Sequence, residues 1–352
     1  MLKRNSISFS LAPWVWRIAN FSSPIIKTFN NFLNIFNIGD KMDNKIIAII
    51  IAIIVIAVGA FFIFGGSGEE VAIGYLPSDH DAALFVADAQ GKYSENGINT
   101  KLVQFNNGGD LMTAMASGDV DVGYVGITPV MSSIAKGVPV KVISAAQTEG
   151  SGIVVAKDSG INSVSDLAGK KIATPGEASI QHMLLTYYLE QNGMSINDLK
   201  VSAMKVPSMN DALKTGKIDG MITFEPYVSI AEKNGAEVLV DSNDIIPNHP
   251  CCVVVASDKF IEQHPNETQK ILEIHKNATD YINSNTDEAA TLLPKDIVSD
   301  VEVEKSAMAG FPFISGLDDS YKQQVMDFMD LEVDLGVLKK PLSEDQIFWQ
   351  GS

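Results

Sequence analysis

Residues 46–64 form a run of 19 residues without a charged or strongly polar side chain, and this run restricts the chain more than any other feature. About 20 such residues span the hydrocarbon core of a bilayer as a helix. The run therefore predicts a transmembrane or signal helix over 46–64, with a helix buried in a soluble core as the competing reading. Lys41 and Lys45 precede it, and Glu69 and Glu70 follow it. The bias of cytoplasmic flanks towards Lys and Arg then places the N-terminus inside and everything after Gly65 outside the cell. Phe61-Phe62-Ile63-Phe64 leads straight into Gly65-Gly66-Ser67-Gly68, with no convincing small-residue cleavage site and no cysteine for lipid attachment. An uncleaved single-pass anchor in the cell membrane, followed by a flexible linker over 65–70, fits these residues. Residues 1–41, rich in Asn, Phe and Ile, predict a poorly structured extension or a start-site artefact, with Met42 as the true first residue.

Beyond the anchor the charge reverses. Residues 1–68 hold six basic and two acidic side chains, whereas the other 284 hold 20 and 41, a net charge of -21. So acidic a body does not bind nucleic acid through phosphates. Its two cysteines, Cys251 and Cys252, are adjacent, which excludes a disulfide framework and a zinc site of the two-by-two cysteine type. The fold must rest on its apolar core, and 46% of the 352 residues are apolar.

From residue 71 short β-rich runs alternate with helical stretches, which predicts an α/β fold. Strands are expected over 71–76, 99–105, 120–125 and 138–146, with helices over 81–90, 110–117 and 128–135. The pattern restarts with strands over 153–156, 171–174, 218–223 and 237–240, and helices near 165–167 and over 178–191, 209–215 and 226–233. A last strand over 251–256 precedes an almost wholly helical remainder. Two independent units in series is one solution. Two lobes with crossing strands is the other, with 71–152 plus 251–352 forming lobe 1 and 153–250 forming lobe 2; neither crossing carries a Pro/Gly-rich linker.

Several segments in fixed order carry a family likeness: Gly74-Tyr75-Leu76-Pro77, Gly91-Lys92-Tyr93, Gly97-Ile98, Ala116-Ser117-Gly118-Asp119-Val120-Asp121-Val122-Gly123 and Gly137-Val138-Pro139-Val140. Ser165-Asp166-Leu167-Ala168-Gly169-Lys170, Phe224-Glu225-Pro226-Tyr227 and Leu335-Gly336-Val337-Leu338-Lys339 continue the series. Together they resemble the nitrate/sulfonate/taurine group of solute-binding proteins of ATP-driven (ABC) importers, from about residue 71 to 348. The resemblance implies the two-lobed periplasmic-binding-protein-like fold of type II, hinge closure on a small solute, and a permease and its ATPase as partners. No cofactor and no metal are expected. A Trp is common in the family where Phe224 stands, which bears on ligand identity more than on fold.

In open α/β sheets ligands sit beyond the carboxyl ends of strands, where helix N-termini present spare N–H groups. Four loops meet that condition. Ser78, Asp79 and His80 follow the first strand, with His80 a donor to an anionic or carbonyl oxygen; Ser78 or Asp79 also reads as a plain N-cap. Gly126 and Thr128 could hold an oxyanion at the head of the next helix. Glu177, Ala178, Ser179 and His182 open the long helix of the second unit, where Glu177 could instead satisfy the helix terminus itself. Glu225 and Tyr227 flank Pro226, and Glu225 reads either as a ligand for an ammonium group or as a structural cap.

Asn248-His249-Pro250-Cys251-Cys252 is the most unusual run. Alternation along a strand lets one thiol at most face a ligand beside His249 while the other packs as a small apolar group; soft-metal or thiol chemistry is the competing reading, and a buried hinge strand is the favoured one. The function expected is an extracytoplasmic receptor for a small anionic organic solute such as a sulfonate or taurine, with nitrate, bicarbonate and a pyrimidine open. An enzyme on the same fold, acting in pyrimidine or menaquinone-type biosynthesis, is the alternative. Against it, no nucleophile and base stand out and only five histidines are present.

Overall fold

The computed structural model of the protein describes residues 70–297 and 300–351. The run 46–64, the extension 1–41 and the linker up to residue 69 lie outside the described residues, and so does the expected anchor. Among the described residues no helix is long and apolar enough to cross a membrane.

The strands are β1 (Val71–Tyr75), β2 (Thr100–Gln104), β3 (Val122–Gly126), β4 (Val140–Ala145), β5 (Ser151–Val155), β6 (Lys171–Thr174), β7 (Lys200–Ala203), β8 (Gly220–Phe224), β9 (Glu237–Asp241) and β10 (Cys252–Ser257). Those that matter for the cleft are followed by the helices α1 (Ala82–Ala89), α2 (Lys92–Glu95), α3 (Gly108–Ser117), α4 (Ile127–Ala135), α5 (Ile180–Gln191), α6 (Met209–Lys214) and α7 (Tyr227–Lys233). The remaining helices are α8 (Ser242–Ile245), α9 (Asp258–Gln263), α10 (Pro265–Ser284), α11 (Thr286–Ala290), α12 (Val301–Met308), α13 (Asp319–Asp334) and α14 (Glu344–Ile347).

Two five-stranded sheets result, in the orders β2-β1-β3-β10-β4 and β7-β6-β8-β5-β9. In each, β1 or β6 pairs in parallel with its neighbours, while one strand contributed across the crossing, β10 or β5, runs antiparallel between two others. The central strands β3, β5 and β8 are buried at every residue, which is why they read as unbroken apolar runs rather than alternating ones. Helix α10 packs on α1 beside the first sheet, whereas α12 leans on α7 beside the second, where Lys233 and Asp300 form an ion pair.

The chain passes from β4 to β5 and back from β9 to β10 along two segments that lie side by side. Thr148 and Pro250 form an antiparallel bridge, Glu149 N donates to His249 O at 3.2 Å and Cys251 N donates to Gln147 O at 3.3 Å. Glu149 (φ 65°) and Asn248 (φ 56°) both adopt the left-handed region there, which non-glycine residues seldom occupy. The Glu149 carboxylate accepts from Asn248 N at 2.8 Å, so each strained residue steadies the other. One apolar cluster runs from Ile73, Leu84 and Tyr124 of the first sheet's layers through Ile180 and Leu184 of α5, and a smaller one around Met209, Met221 and Tyr227 supports the second sheet.

Candidate functional site

Three helices begin where parallel strands of the two sheets end, and their N-termini meet in one cleft. Asn107 and Gly108 open α3, Gly126 and Pro129 belong to the start of α4, and Ser179, Ile180 and Gln181 open α5; all seven residues line the cleft. Its cavity volume is about 40 Å³, and its wall is completed by Leu76, Ser78, His80, Asp81, Pro175, Phe224, Cys251 and Cys252. No Lys or Arg is among them. Asn107 caps α3, its side-chain oxygen accepting from Asp110 N at 2.9 Å, and Ser179 caps α5, accepting from His182 N at 3.2 Å while donating to Gly176 O at 2.6 Å. The two sides approach closely at Gly126, where an added Cβ would lie 3.0 Å from Ile180 Cδ1. A side chain at Gly126 would press on the far end of Ile180 where α5 meets the first sheet.

The loop after β1 is drawn onto the second sheet. Ser78 Oγ donates to Glu225 O at 2.8 Å and accepts from His80 N at 3.2 Å. His80 Nε2 lies 3.0 Å from Gly150 O, and the same carbonyl accepts from Glu225 N at 2.9 Å. The His80 ring sits edge-on to Phe311 at 4.9 Å and tilted to Phe224 at 5.7 Å. Gln181 Nε2 donates to Ser151 Oγ at 2.9 Å, a buried bond that fixes the amide beside the cleft.

Of the residues singled out in the sequence, Ser78, His80, Gly126 and Ser179 line this cleft. Thr128 does not; it is wholly buried and its hydroxyl donates to Glu332 of α13. Glu177, Ala178 and His182 face a different cavity, shared with Lys136 and Lys339. His182 is held below the ordinary histidine range by partial burial, against the opposing charge of Glu177. Asp79 is fully buried and neither carboxylate oxygen has a hydrogen-bond partner among the described residues. Burial, then the charges of Glu304 and Glu225, push its carboxyl well up. Tyr227 packs edge-on against Phe224 at 5.9 Å.

Glu225 turns away from the cleft. Its carboxylate accepts from Ser229 N at 3.0 Å and Ser229 Oγ at 2.9 Å, capping α7, and the side chain borders a cavity shared with Glu149, Asp241 and Ser242. Burial raises its carboxyl, and the two bonds from Ser229 oppose that rise.

The expectation that strand alternation parts the two thiols fails. Cys251 precedes β10 and is free of its pleat, and both sulfurs face His80, at 3.7 and 3.8 Å from Nδ1. His249 instead stacks on Phe328 at 6.0 Å. Asn107 and Gly108 were not singled out, although they obey the same rule as the other loops: a strand end followed within a few residues by a helix N-cap. Asp81 likewise escaped notice because its carboxylate, which accepts from Leu76 N at 2.9 Å, reads in sequence as a helix residue.

A family model described as the NMT1-like family matches residues 66–293. A Bacillus subtilis protein named for aliphatic sulfonate binding is 30% identical over 257 residues, covering 68% of this chain and 76% of its own. The taurine-binding periplasmic protein of Escherichia coli is 29% identical over 211 residues, covering 58% of this chain and 64% of its own. The crystal structure of the periplasmic aliphatic sulphonate binding protein of Escherichia coli superposes with a TM-score of 0.69 at 23% identity, over 81% of this chain and 93% of that one. These are binding proteins rather than enzymes by name, and the solved one shares the fold seen here. Matched over more than half its length by the family model, the chain belongs to the NMT1-like family.

Proposed function

We propose that the chain is the extracytoplasmic solute receptor of an ABC importer, held at the membrane by the run 46–64, and that it takes a small sulfonate in the cleft between its sheets. The observation that carries this reading is the convergence of three helix N-termini, at Asn107, Gly126 and Ser179, on one cleft. Helix N-termini favour anions through their unpaired N–H groups and the helix dipole. With no Lys or Arg in the wall, an anion would be held by backbone N–H groups and by the amides of Asn107 and Gln181, because the Ser78 and Ser179 hydroxyls already donate to Glu225 O and Gly176 O. A strongly hydrated dianion would lack a countercharge there, whereas a monoanion with an apolar tail would suit Leu76, Pro129, Ile180 and Phe224. The names of the relatives point the same way.

The test is a thermal-shift series on the full chain with ethanesulfonate, taurine, nitrate and sulfate. A cognate solute at about 100 times its dissociation constant adds roughly 2.7 kcal/mol of stability, and the sulfonates are expected to give the largest shift. A response to sulfate or nitrate alone would remove the sulfonate assignment.

Glu225 tells apart the two kinds of sulfonate. Because its carboxylate is occupied by Ser229, Glu225→Gln is expected to cost about 0.5–2 kcal/mol of stability through the weakened cap and to leave the ratio of taurine to ethanesulfonate affinity unchanged. Selective weakening of taurine by about 1.5–3 kcal/mol, the worth of a hydrogen bond to a charged group, would show instead that the carboxylate meets the amine.

A further inference from the structure

The strongest chemistry in the cleft wall that a sulfonate receptor does not call for is the trio His80, Cys251 and Cys252. These side chains are 3%, 1% and 6% exposed, and one ligand atom from each lies within 4.8 Å of the other two. We propose that they form a binding site for a thiophilic divalent ion of the zinc type.

The tautomer comes first. His80 Nε2 is 3.0 Å from the Gly150 carbonyl, which can only accept, so Nε2 carries the ring proton and Nδ1 presents a bare lone pair. Both sulfurs face that lone pair, at 3.7 and 3.8 Å. One thiol proton can use it; two cannot. With metal–sulfur bonds of about 2.3 Å and metal–nitrogen bonds of about 2.0 Å, an ion bound tetrahedrally or in a trigonal plane sets nitrogen and sulfur roughly 3.5–3.7 Å apart. The observed separations match that spacing without movement of the backbone. A metal-binding histidine typically donates its other N–H to a carbonyl or carboxylate that fixes the ring, and Gly150 O does so here.

Charge selects the ion. Binding replaces the two thiol protons with one cation, and two thiolates, a neutral imidazole and a divalent ion sum to zero. A neutral unit is what a buried position tolerates, since an isolated buried charge is costly. Sulfur donors select thiophilic ions over calcium or magnesium, which take oxygen ligands. All three ligands come from one end of the first sheet, His80 from the turn after β1, Cys251 from just before β10 and Cys252 from its first residue, so closure of the cleft is not needed to assemble them. The trio also lines the cleft, which leaves a further coordination position facing it.

The site stands or falls independently of which solute the cleft takes. The test uses the reduced, chelator-treated full chain in detergent, titrated with Zn2+ against a chromophoric competitor and, separately, with Co2+. One equivalent of Zn2+ is expected at micromolar affinity or better, and the Co2+ form should show the near-ultraviolet charge-transfer band of two cobalt–thiolate bonds. Cys251→Ser, Cys252→Ser and His80→Gln should each weaken Zn2+ binding at least 100-fold while far-ultraviolet circular dichroism stays unchanged. Zn2+ bound equally well by the double Cys251→Ser/Cys252→Ser variant would mean adventitious surface binding and overturn the proposal. Should the variants fail to fold, the wild-type cobalt spectrum decides: no thiolate band overturns it.

Discussion

Raising the pH from about 4.5 to 8 should destabilise the protein by several kcal/mol, and Glu332→Gln should remove much of that loss. Glu332 is wholly buried; Thr128 donates to one carboxylate oxygen, while the other has no partner among the described residues. Burial raises its pKa to about 8, with the Thr128 bond opposing. Glu304, also buried and with neither oxygen satisfied among the described residues, is raised to about 8 by burial and then by the charge of Glu225. A carboxyl whose pKa is higher folded than unfolded binds more protons in the native state between those two values. Its contribution is fully present below about 4.5 and is lost as the pH climbs through about 8. At 1.36 kcal/mol per unit, each group is worth on the order of 3–5 kcal/mol across that interval. His275 acts in the opposite sense, since burial lowers its pKa to about 4: its contribution is present above about 6.5 and lost as the pH falls towards 4. The interval from 6.5 to 8 therefore isolates the carboxyls. Denaturant unfolding of wild type, Glu332→Gln and Glu304→Gln at half-unit steps of pH is the measurement. Curves that stay parallel across 6.5–8 would refute the assignment.

Gly150→Ala should be among the most damaging single methyl additions in the chain, costing about 3 kcal/mol or more. Gly150 sits at φ +72°, where a Cβ is disfavoured by roughly 1–2 kcal/mol, and that Cβ would lie 2.4 Å from His80 Nε2 and 3.1 Å from Phe311 Cδ1. His80 cannot swing clear, because Phe311, Phe224 and both cysteines enclose its ring. Overpacking of this kind typically adds about 1–3 kcal/mol. His80→Ala makes room for the new methyl group, so the double variant His80→Ala/Gly150→Ala should be more stable than the sum of the single losses predicts, by about 1–3 kcal/mol. Strict additivity would show that backbone conformation alone sets the cost.

Much of the fold was legible because local pattern and tertiary role coincide. The buried parallel strands β1, β3, β6 and β8 appear as short apolar runs, and the helices between them carry ordinary caps and periodicity. β7 escaped notice because it is an edge strand with three of its four residues exposed or nearly so, which leaves Lys200-Val201-Ser202-Ala203 without a hydrophobic signature. Helix α8 is four residues long and too short for a period. Part of the cleft was legible too: Ser78, His80, Gly126 and Ser179 follow from the rule that ligands meet strand ends and helix starts. The same rule carried Thr128 and Glu225 to the right loops, but not to the right orientation. One side chain turned inwards to Glu332 and the other back onto its own helix.

By itself, then, the sequence determined the class of fold, the family and the loops from which a cleft could be built. Those properties rest on periodicity, turn chemistry and residue order, all of which are local. Which strand of each sheet runs antiparallel, the bond that joins Ser78 to Glu225, and the meeting of His80 with both cysteines were decided only in three dimensions. The last two depend on residues about 150 or more positions apart, the antiparallel pairings on residues tens of positions or more apart, and the directions of their side chains are set by packing around them. Cys251 shows the division most clearly. Its place beside a strand was readable from neighbouring residues, but its exit from the pleat is fixed by backbone bonds to Gln147 and Ile127, which lie far from it in sequence.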